Sequence, residues 1–256
     1  MIGIGLAPGI ARGKAWGTAA AALTLPALAA PVVAAVTAPF RLHDLPNCVV
    51  SIRPRVATVT LNGADVSQVD DETGLGNHVV QATASKQPLW VASGGPNNKS
   101  YVEGDGVDEF LRAAFAWTQP AHIFVVAMPS ATDGINKALY DGGVNNGALF
   151  YTATSTQMAC YAGAGFTEAA GGTHMNTWSK IDTLWNGAAS YIRRNGVTKT
   201  GNVGANNPSG IILLMRGDQA SNAGDGAFAE AVGFSSEVTG NALALADWYI
   251  ATEYGL

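Results

Sequence analysis

Residues 225–256, DGAFAEAVGFSSEVTGNALALADWYIATEYGL, hold the pattern from which the rest of the chain can be read. The first ten are small and apolar, bounded by Gly226 and Ser235, and are too short for a buried helix, so a strand is predicted. EVTG (237–240) reads as a turn. In the stretch that follows, Leu243, Ala246, Ile250 and Tyr254 recur at helical spacing along one face. Gly255 then stands where a helix end takes positive φ.

Working outward, short apolar runs with a period near two recur between turn signals. They include NCVVSI (47–52), RVATVTL (55–61), HVVQAT (78–83), HIFVVAMPS (122–130), TWSKIDTLWNG (177–187), SYIRRNG (190–196) and GIILLMRG (210–217). Asn195-Gly196 is the strongest hairpin signal, because a two-residue type I′ turn needs positive φ at both positions. The chain is therefore predicted to be all-β, with one helix at the end. Charged residues are 13% of the chain against about 25% in an average domain, and 31 of 256 residues are Gly. That balance suits turn-rich β structure. A net charge of −5 with scattered Lys and Arg gives no basic field for nucleic acid.

Residues 1–45 differ in composition, being rich in Gly, Ala and Pro, with Pro26, Pro31 and Pro39 interrupting any helix. A secretory leader, a membrane span and an extended assembly arm compete for this segment. The arm is the favoured reading, with Trp16 and Phe40 as anchors on a neighbouring subunit, because such a segment orders only against a partner. Residues 46–256 are then one folded domain.

Several blocks, in order, resemble the concanavalin A-like, laminin-G-like domains of phage surface proteins. They are LPNCVVSIRP (45–54), the glycine-rich turn TGLGNH (73–78), VEGDGVDEFLR (102–112) with Asp105, Gly106, Asp108 and Phe110 matching, and the closing strand and helix. The resemblance implies a two-sheet antiparallel jelly-roll sandwich. It also implies a noncatalytic bacteriophage virion structural protein of tail-fibre or capsid-decoration type, homo-oligomeric and at the virion surface after synthesis in the host cytoplasm. The alternatives are a carbohydrate-binding module attaching to host-surface glycan and, further off, a laminarinase-like glycosidase.

For catalysis, Glu103, Asp105 and Asp108 approach the E-x-D-x-x-E pattern of the related glucanases. Alternation places Glu103 and Asp105 on one face, while two glycines within the six residues 103–108 favour a turn, so no catalytic residue and no enzymatic activity is expected. Asp105, Asp108 and Glu109 are weak candidates for calcium, and no other cofactor is implied. Trp117 and Tyr140, near predicted loops, are candidates for an exposed ligand surface. His43, His78, His122 and His174 lack metal-ligand spacing. Cys48 and Cys160 sit in apolar stretches and read as inert thiols.

Overall fold

The computed structural model describes residues 39–130, 137–143, 147–151, 157–168, 175–215 and 223–256. Its compact body runs from Phe40 to Leu256. The strands are β1 (Cys48–Ile52), β2 (Val59–Asn62), β3 (Asp65–Val69), β4 (Val79–Val80), β5 (Leu89–Val91) and β6 (Tyr101–Asp105). They continue as β7 (Leu111–Ala114), β8 (Ala121–Pro129), β9 (Lys137–Asp141), β10 (Ala148–Tyr151), β11 (Met158–Tyr161) and β12 (Gly165–Thr167). The set closes with β13 (Ser179–Trp185), β14 (Ser190–Arg194), β15 (Val197–Gly201), β16 (Gly210–Leu213), β17 (Asp225–Phe234) and the helix α1 (Gly240–Tyr254).

The predicted closing unit is present. β17 is the spine of the sheet, paired with β8 along one edge and with β6 and then β1 along the other. Both Gly226 and Gly233 on this strand face close neighbours, Gly233 lying against the Trp117 indole where a side chain would collide. α1 buries Ala246, Tyr249, Ile250 and Tyr254 and ends on Gly255 in the left-handed region, φ 71°. Asn195 (φ 48°) and Gly196 (φ 85°) make the tight turn between β14 and β15 that their chemistry predicts.

One detail of the closing strand differs from simple alternation. Phe228 and Val232 share parity, yet Phe228 points into the barrel interior and Val232 outward beneath α1. The register against β8 slips between Phe228 and Glu230, and this bulge turns the strand over.

The expected two-sheet sandwich is corrected by the pairing. Among the described residues, all 17 strands belong to one hydrogen-bonded antiparallel sheet. From β8 it continues through β13 and β14 to β15. From β6 it passes through β5 to β3, which β2 and β4 flank, and then through β7, β16, β9, β10 and β11 to β12. At the far ends, the Phe166 ring of β12 sits over Gly201 of β15, so the sheet is a nearly closed barrel. The reason is local. The short strands β3, β4 and β5 pass the ladder around a corner where a sandwich would break it, and alternation in sequence says which residues face inward but not which strands pair.

The interior holds Val50, Ile52, Leu111, Ile123, Val125, Tyr140, Leu149, Trp185, Ile211, Leu213 and Phe228. A second cluster lies outside the barrel wall, where Leu42, Phe124, Val126, Val232 and Phe234 meet the buried face of α1. Among the described residues no helix is long and apolar enough to cross a membrane.

Candidate functional site

The barrel has two contrasting outer walls. α1 covers the β8–β17 wall, whereas the wall formed by β4, β7, β16 and β9 bears a row of directly opposed residues: Val80, Arg112, Ile212 and Asp141. Opposed residues of an antiparallel ladder share a face, so this row lies opposite the inward-facing Leu111, Ile211 and Leu213. A groove of about 430 Å³ opens on it, lined by Val80, Gln81, Thr83, Lys86, Phe110, Arg112 and Met215. A second depression of about 240 Å³ extends along the same strands past Ala114, Ser209 and Gly210 and shares Arg112. Gly210 is required there, since its φ is 143° and a side chain would strike the Ala113 carbonyl.

Backbone and side-chain bonds fix the groove. The Phe110 N–H donates to the Lys86 carbonyl at 3.2 Å, the Gln87 amide donates to the Gln81 carbonyl at 2.7 Å, and the Thr83 N–H donates to Gln81 Oε1 at 2.9 Å. The Arg112 guanidinium lies 5.9 Å from the Phe110 ring centroid, within cation–π range. A floor with two cations and a threonine hydroxyl can hydrogen-bond a polyhydroxylated ligand.

The acidic block of the sequence lies beside this groove. Glu103 and Asp105 project from one face of β6, as alternation predicts, and Gly106 (φ 74°) turns the chain. Asp105 Oδ1 accepts the Val107 N–H at 2.8 Å, closing that turn. Asp108 Oδ2 stands 3.8 Å from Lys86 Nζ of the groove. Glu109 Oε2 accepts the Asp105 N–H at 3.0 Å. Desolvation, with added repulsion from Asp105, Asp65 and Asp108, pushes the Glu109 carboxyl up to about 7, against the stabilising N–H of Asp105.

The ligand-surface candidates lie elsewhere. Trp117 is 3% exposed, packed against Phe115 and Trp185, with its indole N–H donated to the Phe234 carbonyl. Tyr140 is fully buried and its hydroxyl meets Thr183. Both are core residues, because aromatic rings serve burial as well as they serve stacking. Among the described residues no group of three His, Cys, Asp or Glu side chains is placed to hold a metal, Asp105, Asp108 and Glu109 included. Trp16, Pro26, Pro31 and His174 lie outside the described residues. Phe40 packs edge-on against Tyr249, and Pro39 is exposed at the start of the described chain.

His122 is fully buried, its Nδ1 accepting the Val238 N–H at 3.0 Å and its Nε2 facing Asp182 and the Tyr191 hydroxyl. It ties the loop before α1 to the wall. His78 Nδ1 accepts the Asp71 N–H at 3.0 Å, and His43 lies 3.9 Å from Glu72. Cys48 and Cys160 are free. Burial pushes both thiols up to about 12. Sequence reasoning missed Gln81, Lys86 and Arg112. The available signal was Arg112 alternating with buried Leu111 and Ala113, which marks a polar outer face on a strand.

With this wall and barrel defined, solved structures give the context. The fold is shared with parts of two glycosidases. One is the Trypanosoma rangeli sialidase in complex with sialic acid, with a TM-score of 0.56 at 11% identity over 81% of this chain and 33% of that one. The other is an arabinofuranosidase complexed with arabinofuranosyl-alpha-1,2-xylobiose, with a TM-score of 0.56 at 14% identity over 74% of this chain and 51% of that one. A GH54 α-L-arabinofuranosidase soaked with a cyclic sulfate inhibitor aligns equally well, at 15% identity. The chain thus spans a third of the sialidase and half of the arabinofuranosidase. No family model and no curated protein matches the sequence.

These neighbours correct the jelly-roll resemblance and what was drawn from it. The solved structures named above are a sialidase and arabinofuranosidases, and none of them is a phage particle protein. The readings as a noncatalytic virion structural protein and as a protein without enzymatic activity are set aside accordingly. Each quoted block was short, and strand-turn patterns of that length recur in many antiparallel folds.

Proposed function

We propose that this chain is a glycoside hydrolase domain that binds its glycan in the groove on the β4–β7–β16 wall. The observation behind the reading is the acidic turn beside the groove: Phe110 lines the groove, Asp108 stands 3.8 Å from Lys86 of the lining, and the Glu109 carboxyl between Asp108 and Phe110 in the chain is pushed up to about 7. Glycoside hydrolysis by two carboxyls needs one that keeps its proton and one that is charged. Glu109 donates its proton to the departing glycosidic oxygen. Asp108 stabilises the positive charge that develops on the sugar ring, and a water adds to the anomeric carbon and gives a proton back to Glu109. Phe110 and Arg112 hold the ring against the wall, and Gln81 and Thr83 bond its hydroxyls. The shared fold with a sialidase and an arabinofuranosidase supports the same class of chemistry.

The test is release of nitrophenol or reducing ends from a panel of aryl glycosides and plant and bacterial polysaccharides. Wild-type protein is expected to turn over at least one substrate, and Glu109→Gln to reduce that turnover about a thousandfold with no change in melting temperature. Glycan binding without turnover across the panel, or equal turnover by Glu109→Gln, contradicts the proposal.

A further inference from the structure

A second concavity, of about 400 Å³, lies on the helix-covered side of the body, away from the groove. It forms where the chain leaves β1, at the 3₁₀ turn Pro96–Asn98, and beside the end of α1. Three cations line it, Arg53, Arg55 and Lys99, together with Asn98, Ser100 and Tyr254. Among the described residues, two carboxylates pair with them directly, those of Glu72 and Glu253. Arg53 Nη2 donates to Glu72 Oε1 at 3.1 Å, and Arg53 Nε lies 3.1 Å from Glu72 Oε2 as an ion pair. Glu253 uses one oxygen, Oε1, for both Arg55 Nη2 at 2.5 Å and Lys99 Nζ at 3.3 Å. A single carboxylate oxygen shared by two cations leaves positive charge unmatched at the rim.

The remaining nearby acid, Glu230, does not supply the balance. It is 3% exposed and meets the Tyr249 hydroxyl at 3.1 and 3.3 Å, while Arg53 Nη1 donates to that same hydroxyl at 2.7 Å, so a phenol stands between the two charges. Burial pushes Glu230 up to about 7, offset in part by Arg53 and by the Tyr254 and Tyr249 hydroxyls, and Glu72 adds repulsion. The lip is held in an uncommon backbone state. Asn97 and Asn98 have φ of 51° and 57°, and the Asn97 amide donates to the Glu253 carbonyl at 3.1 Å. Consecutive left-handed asparagines persist where surrounding structure fixes them, and they cluster at ligand clamps.

We propose that this concavity binds the carboxylate of an acidic sugar, with Arg55 and Lys99 taking the anion and Asn98 and Ser100 the hydroxyls. Their bonds to Glu253 are exposed, with 32% and 36% of the Arg55 and Lys99 side chains accessible, and ion pairs at such positions exchange readily for a ligand. The volume matches small-ligand sites of about 300–1,000 Å³. The site is separate from the hydrolytic groove and does not depend on it.

Calorimetric titration of the full chain at pH 6 with glucuronate, glucose and inorganic sulfate tests this. Glucuronate is expected to bind at least tenfold more tightly than glucose or sulfate. The Arg55→Gln/Lys99→Gln double variant, and Lys99→Gln alone as a milder change, are expected to weaken glucuronate at least tenfold and about threefold while melting as wild type does. Raising the pH to 8.5 ionises Glu230 and is expected to weaken binding severalfold, an effect that Glu230→Gln abolishes. Glu109→Gln is expected to bind glucuronate unchanged, which separates this site from the groove. Equal binding of glucose, equal binding of sulfate, no binding at all, or undiminished binding by the double variant overturns the proposal.

Discussion

The two outer walls of the barrel use the same kind of strand for opposite ends. On the β8–β17 wall, outward positions are Phe124, Val126, Val232 and Phe234, and α1 covers them. The polar groups there, His122, Asp182 and Glu230, are buried and held by fixed bonds. On the β4–β7–β16 wall the outward row includes Val80 and Arg112, and it opens into a groove with Lys86 and the acidic turn at its edge. One wall spends its outward residues on stability. The other leaves Val80 and Arg112 at an open groove, and substitutions on the two are therefore expected to have different consequences.

The largest effect is expected at Phe234, which is fully buried with its ring edge-on to Phe124 at 5.8 Å. Phe234→Ala is expected to cost about 3–5 kcal/mol by urea denaturation, and a cost under ~1 kcal/mol would show that α1 does not seal this wall.

A second test uses pH. Glu230 has a folded-state pKa raised from 4.5 to about 7, mainly by burial. Its contribution to stability is complete below about pH 4.5, where both states hold the proton, and is lost as pH rises through about 7, where the unfolded chain has already ionised. The shift corresponds to about 3 kcal/mol. Urea denaturation of wild type and Glu230→Gln at pH 4, 6 and 8 is expected to show the variant gaining about that much relative to wild type. A constant difference between the two proteins would place Glu230 outside the low-dielectric wall.

The smallest stability effect is expected on the open wall. Lys86 is 41% exposed and 3.8 Å from Asp108, and such pairs contribute at most about 0.5–1 kcal/mol. Lys86→Ala is expected to leave the melting temperature nearly unchanged and to weaken glycan binding severalfold, which glycan titration checks. A destabilised Lys86→Ala protein would erase the contrast between the walls.

Much of the helix-covered wall was legible in the sequence. The helical spacing of Ala246, Ile250 and Tyr254, the Gly255 stop and the Asn195-Gly196 hairpin are local signals, and each is where its chemistry puts it. The opposite facing of Phe228 and Val232 was not legible, because a bulge between Phe228 and Glu230 leaves no mark in the alternation. The barrel itself was not legible, since it depends on β3 handing its ladder to β4 and β5, a pairing between short strands that sequence spacing does not specify. The groove was missed for a related reason. Val80, Arg112 and Met215 are far apart in the chain and meet only through pairing. Trp117 and Tyr140, chosen as aromatics near loops, are packed in the interior. The acidic block reads in sequence as a turn with weak calcium candidates and no catalytic residue. The turn is there, closed by Asp105, and what sequence could not show is the partial burial of Glu109 within it.

The most direct test of the central claim, that Glu109 is the proton donor of a glycoside hydrolase, is the pH dependence of kcat/KM on the best substrate of the panel. This parameter reports the ionisation of the free enzyme. The account predicts a plateau below pH 7 and a tenfold fall per unit above it, following loss of the Glu109 proton. A rate that is flat or rising between pH 7 and 9 would contradict it.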